Sequence, residues 1–162
     1  MIENKKIFKG KNAFISGATG AIGGAIAQKL AQFGCNLFLT GSNKEKLKDI
    51  CEDLSKLDVD VSYKEGDLRD TNEIYKVIKQ SYSFVEHFDI VINSAGVFPQ
   101  LDLQDSSDDI YNDSMNVNFR AAFIFSREFS KKMVDQKWGR IVNIGSVSSY
   151  NGYKSTSLYC AS

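Results

Sequence analysis

The stretch SGATGAIGG, residues 16–24, is the first part of the chain whose residue types and spacing could do chemistry. It joins a short apolar run, NAFIS (12–16), to AIGGAIAQKLAQF (21–33), where Ile22, Ile26, Leu30 and Phe33 recur at helical spacing. A glycine-rich strand-to-helix turn suits the phosphates of a dinucleotide. Backbone N–H groups without helical partners and the positive end of the helix dipole meet there, and glycine lets the backbone come close. Gly17, Gly20 and Gly23 are spaced G-x-x-G-x-x-G, which departs from the ordinary G-x-G-x-x-G fingerprint, and no GK[ST] follows as a P-loop requires. On spacing alone a tight turn without a ligand stays open beside phosphate binding. The location, between first strand and first helix, favours binding.

Other reactive side chains carry less. His87 is the sole histidine and sits in a polar stretch without a second ligand at metal spacing, so a surface role is expected. Cys35, Cys51 and Cys160 are odd in number and show no C-x-x-C or Cys/His spacing, which fits reduced thiols and no metal.

The elements that must position the turn alternate along the chain. CNLFLT (35–40) reads as a second strand, the Lys/Glu-rich segment 43–56 as a surface helix, and VDVSYKE (59–65) as a third strand. After Asp70 and Thr71, a plausible cap, Ile74, Val77, Ile78 and Val85 recur at helical intervals. FDIVINSAG (88–96) supplies a fourth strand, 107–135 a long helix and GRIVNIGS (139–146) a fifth strand. Near-continuous apolar strands in βαβ order predict an α/β fold, a Rossmann-like doubly wound parallel sheet with helices on both faces, as a single domain over 1–162.

Composition agrees. The 162 residues are 43% apolar and 25% charged, enough to bury one globular core. Lys plus Arg equals Asp plus Glu at 20 each, so nothing marks a nucleic-acid or anionic-membrane partner. MIENKKIFKG lacks an apolar leader and no stretch approaches a bilayer span, so the expected location is cytoplasmic.

These motifs together resemble the short-chain dehydrogenase/reductases. The turn is similar to that family's Thr-Gly-x-x-x-Gly-x-Gly, with Ser16 in the Thr position and Ala21 in that of the middle Gly. GDLRD (66–70) resembles the family's Asp-Leu, and NSAG (93–96) its Asn-Asn-Ala-Gly, Ser94 replacing the second Asn. The resemblance implies a cofactor site of Ser16, Gly17, Thr19, Gly20, Ala21, Ile22, Gly23, Ser42, Asp67, Leu68, Asn93, Ala95 and Gly96. In it Asp67 and Leu68 meet the adenine. The ordinary alternatives are a helix cap for Asp67 and a sheet brace for Asn93.

An acid at the end of the second strand would bind the ribose 2′-OH and repel a 2′-phosphate. The position that carries Asp in NAD-using relatives is Gly41 here, followed by Ser42, with Lys44 and Lys46 close in sequence. NADP is therefore expected over NAD.

The resemblance also implies catalytic roles: Ser146 holds the substrate oxygen, Tyr159 is the general acid, and Asn118 in MNVNFRAAF supports a water in the proton relay. Free tyrosine, with a pKa of about 10, transfers protons poorly near neutrality until positive charge lowers it. The family's lysine one helical turn later would fall at position 163, just after SLYCAS. The expectation is a fragment cut after the fifth strand, inactive alone, of a ketone/alcohol oxidoreductase. A noncatalytic dinucleotide-binding module is the alternative.

SLYCAS and GRIVNIGSV look most like family members that reduce 3-oxoacyl thioesters on acyl carrier protein, and Lys137 matches a basic residue that can meet that carrier. Phe125, Phe129 and Met133 form one helical stripe and Phe119 and Phe123 another that needs its own cover. The family resemblance implies a homo-oligomer, in which this helix packs against its counterpart in a second subunit, and a further C-terminal helix is the alternative cover.

Overall fold

The computed structural model describes residues 6–162; the first five residues of the charged N-terminal segment lie outside the description. Five parallel strands form one sheet: β1 (Asn12–Ser16), β2 (Asn36–Gly41), β3 (Val61–Glu65), β4 (Ile90–Asn93) and β5 (Arg140–Asn143), in the order β3-β2-β1-β4-β5. Ala13 pairs with Leu37 on one side and Ile90 on the other, placing β1 at the centre. The crossovers are helical: α1 (Ala21–Gln32), α2 (Lys44–Ser55), α3 (Thr71–Phe84), then α4 (Asp108–Ser114) running through a π turn (Met115–Arg120) into α5 (Ala121–Asp135). Strand order reverses between β1 and β4, and open α/β sheets hold ligands in the crevice at such a switch point.

Because side chains alternate along a strand, β1 feeds two cores. Ala13 and Ile15 face Ala27, Ala31, Leu47, Cys51 and Leu54 of α1 and α2. Phe14 faces the other way, toward α3 and α5, its ring centroid 4.7 Å from that of Phe125 and 4.6 Å from that of Phe129. Asp70 caps α3 by accepting from the Asn72 N–H at 2.8 Å, as expected. Asp89 is 5% exposed at its side chain, accepts from the Asn12 N–H and pairs with Lys11 at 2.8 Å, tying the N-terminal ends of β1 and β4.

The structure departs from the sequence reading at three places. The buried positions of α1 are Gly23, Ala27 and Ala31, with Ile26 and Leu30 partly buried against the same core, while Ile22, at the first turn, is exposed. The segment 107–135 is helical throughout, but a π turn interrupts it at Met115–Arg120. Beyond β5 the chain adds a 3₁₀ turn (Val147–Ser149) and a short helix, α6 (Ser157–Ala161). Among the described residues no helix is long and apolar enough to cross a membrane, and no His/Cys/Asp/Glu group could hold a metal.

Candidate active site

A cleft of about 310 Å³ opens over the C-terminal ends of the strands, at the switch point between β1 and β4. Of the residues expected at a cofactor, Gly17, Thr19, Gly20, Ser42, Asp67, Leu68, Ala95 and Gly96 line it. Ser16, Ala21, Ile22, Gly23 and Asn93 do not, and the first and last of these have visible structural work. The Ser16 hydroxyl accepts from the Ser94 N–H at 3.3 Å, holding the end of β4 against β1. Asn93 is 4% exposed and donates to Asn143 Oδ1 at 2.7 Å and Ser126 Oγ at 3.0 Å, bracing β4 against β5 and α5. Its Oδ1 is the buried side-chain polar atom without a partner among the described residues.

The glycines explain how the turn is built. Gly17 has φ +69°, and a Cβ there would lie 2.6 Å from the Ala95 nitrogen; a Cβ on Gly23 would lie 2.4 Å from the Gly17 oxygen. Two backbone segments and a helix thus meet with no room for a methyl group. The start of α1 has no side-chain cap and no acid in its first turn. Its free N–H groups and dipole offer an anion site beside the cleft, which fits a pyrophosphate.

At the β2 end the space beside the Gly41 α-carbon is filled by Thr19: a Cβ would stand 2.9 Å from its Oγ1. Ser42 and, on the first turn of α2, Lys44 and Lys46 are exposed there, with no acid at the end of β2 itself.

At the β3 side, Asp67 does not cap α3, a task that Asp70 performs. Its carboxylate is gripped by Arg69, with Nη2 to Oδ2 at 2.6 Å, and the Arg69 guanidinium holds it below the ordinary carboxylate range. Sequence reading passed over Arg69, Asp113 and Val117, all cleft residues. The dipeptide neighbour of Asp67 was a visible signal for Arg69; Asp113 and Val117 arrive through the path of the helix and had none.

The residues expected to be catalytic lie on elements that follow the cleft. Asn118 sits in the π turn, a feature that often marks functional sites. Its Oδ1 accepts from the Val97 N–H at 2.7 Å, and its Nδ2 donates to the Val97 oxygen at 3.0 Å and to Ser162 Oγ at 2.8 Å. Both amide hydrogens are therefore engaged in holding the segment after β4 and the end of α6. Ser146 caps the 3₁₀ turn by accepting from the Ser148 N–H at 3.1 Å. Tyr159 is half-buried on α6, its ring edge-on to Phe98 with centroids 4.6 Å apart. Lys137 lies at the opposite, N-terminal end of β5, in a turn with φ +55°.

The architecture and the cleft define an α/β protein of the Rossmann-like class. The profile of the short chain dehydrogenase family matches residues 11–162, and the chain belongs to that family. It is 35% identical over 153 residues, 94% of its own length, to the 3-oxoacyl-[acyl-carrier-protein] reductase of Rickettsia bellii, and spans 61% of that protein. A metagenomic short-chain oxidoreductase in complex with NADP superposes with a TM-score of 0.90 at 26% identity, over 95% of this chain and 70% of that one. An NAD⁺-bound xylitol dehydrogenase gives 0.88 at 26% identity, over 95% and 60%.

Proposed function

We propose that this chain is the cofactor-binding part of an oxidoreductase that interconverts a ketone and a secondary alcohol with NADP(H). The observation that carries the reading is the cleft at the β1/β4 switch point, floored by Gly17 and Gly20 and bounded by Ser42 and Asp67. The lack of an acid at the end of β2, where Thr19 fills the space beside Gly41, supports NADP over NAD. The cofactor, when bound, gives or takes the hydride. Tyr159 donates a proton to the carbonyl oxygen, Ser146 hydrogen-bonds that same oxygen, and Asn118 keeps the Val97 and Ser162 segments in place.

Resemblance to a reductase of 3-oxoacyl groups on an acyl carrier protein makes a 3-oxoacyl thioester the favoured substrate. A homo-oligomer belongs to the same reading. Phe119 and Phe123 stay 58% and 52% exposed beside a groove of about 550 Å³ shared with Tyr75 and Tyr111, while Phe125, Phe129 and Met133 are buried. Three free thiols, two of them buried, support a cytoplasmic setting. Residues 1–162 made alone are proposed to have negligible turnover, because the expected lysine beside Tyr159 falls outside them and an untuned acid loses on the order of 10²–10⁴ in rate.

The test is NADPH oxidation by the full-length protein with a 3-oxoacyl thioester, paired with calorimetric titration of NADPH and NADH. No binding of either nucleotide would sink the reading. Binding without turnover would leave a noncatalytic dinucleotide module.

A further inference from the structure

Arg69 closes a fork on Asp67 at the rim of the cleft. Its Nε lies 2.9 Å from Oδ1 and 3.0 Å from Oδ2, its Nη2 is 2.6 Å from Oδ2, and its backbone N–H donates to Oδ1 at 3.0 Å. The remaining nitrogen, Nη1, reaches Oδ2 of Asp113 on α4 at 3.4 Å. All three residues line the cleft, and the Asp67 side chain keeps 47% of its surface open.

This arrangement does more than neutralise a charge. A lone carboxylate on a surface loop turns freely about two side-chain bonds. The planar fork and a backbone N–H hold the Asp67 carboxylate in the orientation seen, and Nη1 links the same guanidinium to Asp113 on the helix leading into the π turn. We infer that Arg69 is a positioning residue that gives the cleft its choice of purine, by presenting Asp67 as a fixed acceptor that takes a 6-amino base and rejects a 6-oxo base. The inference rests on the dinucleotide reading above, in which Asp67 meets the base.

The discrimination follows from what a fixed acceptor cannot do. An exocyclic amino group donates to it. A carbonyl oxygen in the same place sets two acceptors against each other, and a carboxylate that cannot swing aside keeps that contact unfavourable. Without the fork, Asp67 turns away and both bases are accommodated.

The experiment uses the full-length protein and whichever of NADP⁺ or NAD⁺ binds more tightly, with its hypoxanthine analogue, in calorimetric titrations of wild type, Arg69→Ala, Arg69→Lys and Asp113→Asn. Wild type is expected to favour adenine by about tenfold or more. In Arg69→Ala the ratio falls to within about threefold, Arg69→Lys falls between, and Asp113→Asn loses least. A ratio that is unchanged or larger in Arg69→Ala overturns the inference, as does a wild type indifferent to the base. Should the alanine variant fail to fold, the lysine variant decides: an undiminished ratio there overturns the inference as well. Wild type that binds neither dinucleotide overturns the dinucleotide reading itself, and this inference with it. Equal weakening of both dinucleotides, at a constant ratio, marks Arg69 as merely structural.

Discussion

Gly17 and Ala95 meet backbone to backbone above the sheet, so closely that a Cβ on Gly17 would stand 2.6 Å from the Ala95 nitrogen and 2.7 Å from its α-carbon. The contact joins the turn after β1 to the segment after β4, the two walls of the cleft. Gly17→Ala therefore meets both a left-handed backbone and an occupied space, and is expected to cost about 2–4 kcal/mol. Urea unfolding and dinucleotide titration should both register the change. An alanine variant of wild-type stability would mean that the two walls are not in contact.

Ser42 marks where a 2′-phosphate is expected. Ser42→Asp places an anion at the exposed end of β2 without crowding Thr19, as an acid at Gly41 would. NADPH affinity should fall by about tenfold or more while NADH affinity holds or rises. Parallel titrations read this directly, and an equal loss for both nucleotides counts against the cofactor assignment.

Ser146 has an ordinary structural task as well as the expected chemical one, and the two can be separated. Ser146→Ala removes both the cap on the 147–149 turn and the hydroxyl, whereas Ser146→Asn retains an acceptor for the Ser148 N–H. In the full-length protein both variants, and Tyr159→Phe, should lose about 10²–10⁴ in kcat. Only Ser146→Ala should also lose about 1 kcal/mol of stability. Turnover restored by asparagine would reduce Ser146 to a cap.

The legible parts of this molecule were those set by local pattern. The apolar runs of β1, β2 and β4 and the capped start of α3 were read correctly because period and punctuation lie in neighbouring residues. On α1 the helical spacing held for Ile26 and Leu30, which pack against the core beside the fully buried Ala27 and Ala31, but not for Ile22, which stays exposed. The π turn was hidden because MNVNFR has the composition of any helix, and the Val97–Asn118 clip that accompanies it joins segments distant in sequence. Arg69 carried no reading in the sequence, because Asp113, its second partner, lies 44 residues further along the chain.

Cys35 and Cys51 should make stability fall at alkaline pH. Burial pushes both thiols up to about 12, with the Asp89 charge adding to the effect at Cys35. An unfolded thiol titrates near about 8.5, so between about pH 9 and 12 the unfolded chain has released protons that the folded chain retains. The stability contributed by the raised pKa is complete below about pH 8.5 and is lost as pH rises toward 12. Urea midpoints at pH 8 and pH 10.5 should drop less for Cys51→Ala than for wild type. Identical drops would remove the thiol from the account.

β5 is an edge strand with an open apolar surface: Ile141 is 36% exposed and Val142 43%. Residues 1–162 made alone should self-associate through it, and Val142→Lys should shift the product toward monomer in size-exclusion chromatography. An unchanged elution profile would place the association elsewhere, with Phe119 and Phe123 as the next surface to substitute.

The central place of β1 also sets a timetable for synthesis. Its first neighbour, β2, is made one helix later, but its second waits for β4; Asn12 and Asp89, bonded across that seam, are 77 residues apart in the chain. At ribosomal speeds of about 5–20 residues per second, the seam stays open for roughly 4–15 s after β1 is made. During that interval the growing polypeptide carries a half-built sheet, with the Phe14 side chain still lacking its Phe125 and Phe129 partners. A codon change that slows translation between residues 41 and 88 lengthens that vulnerable window without altering a single amino acid.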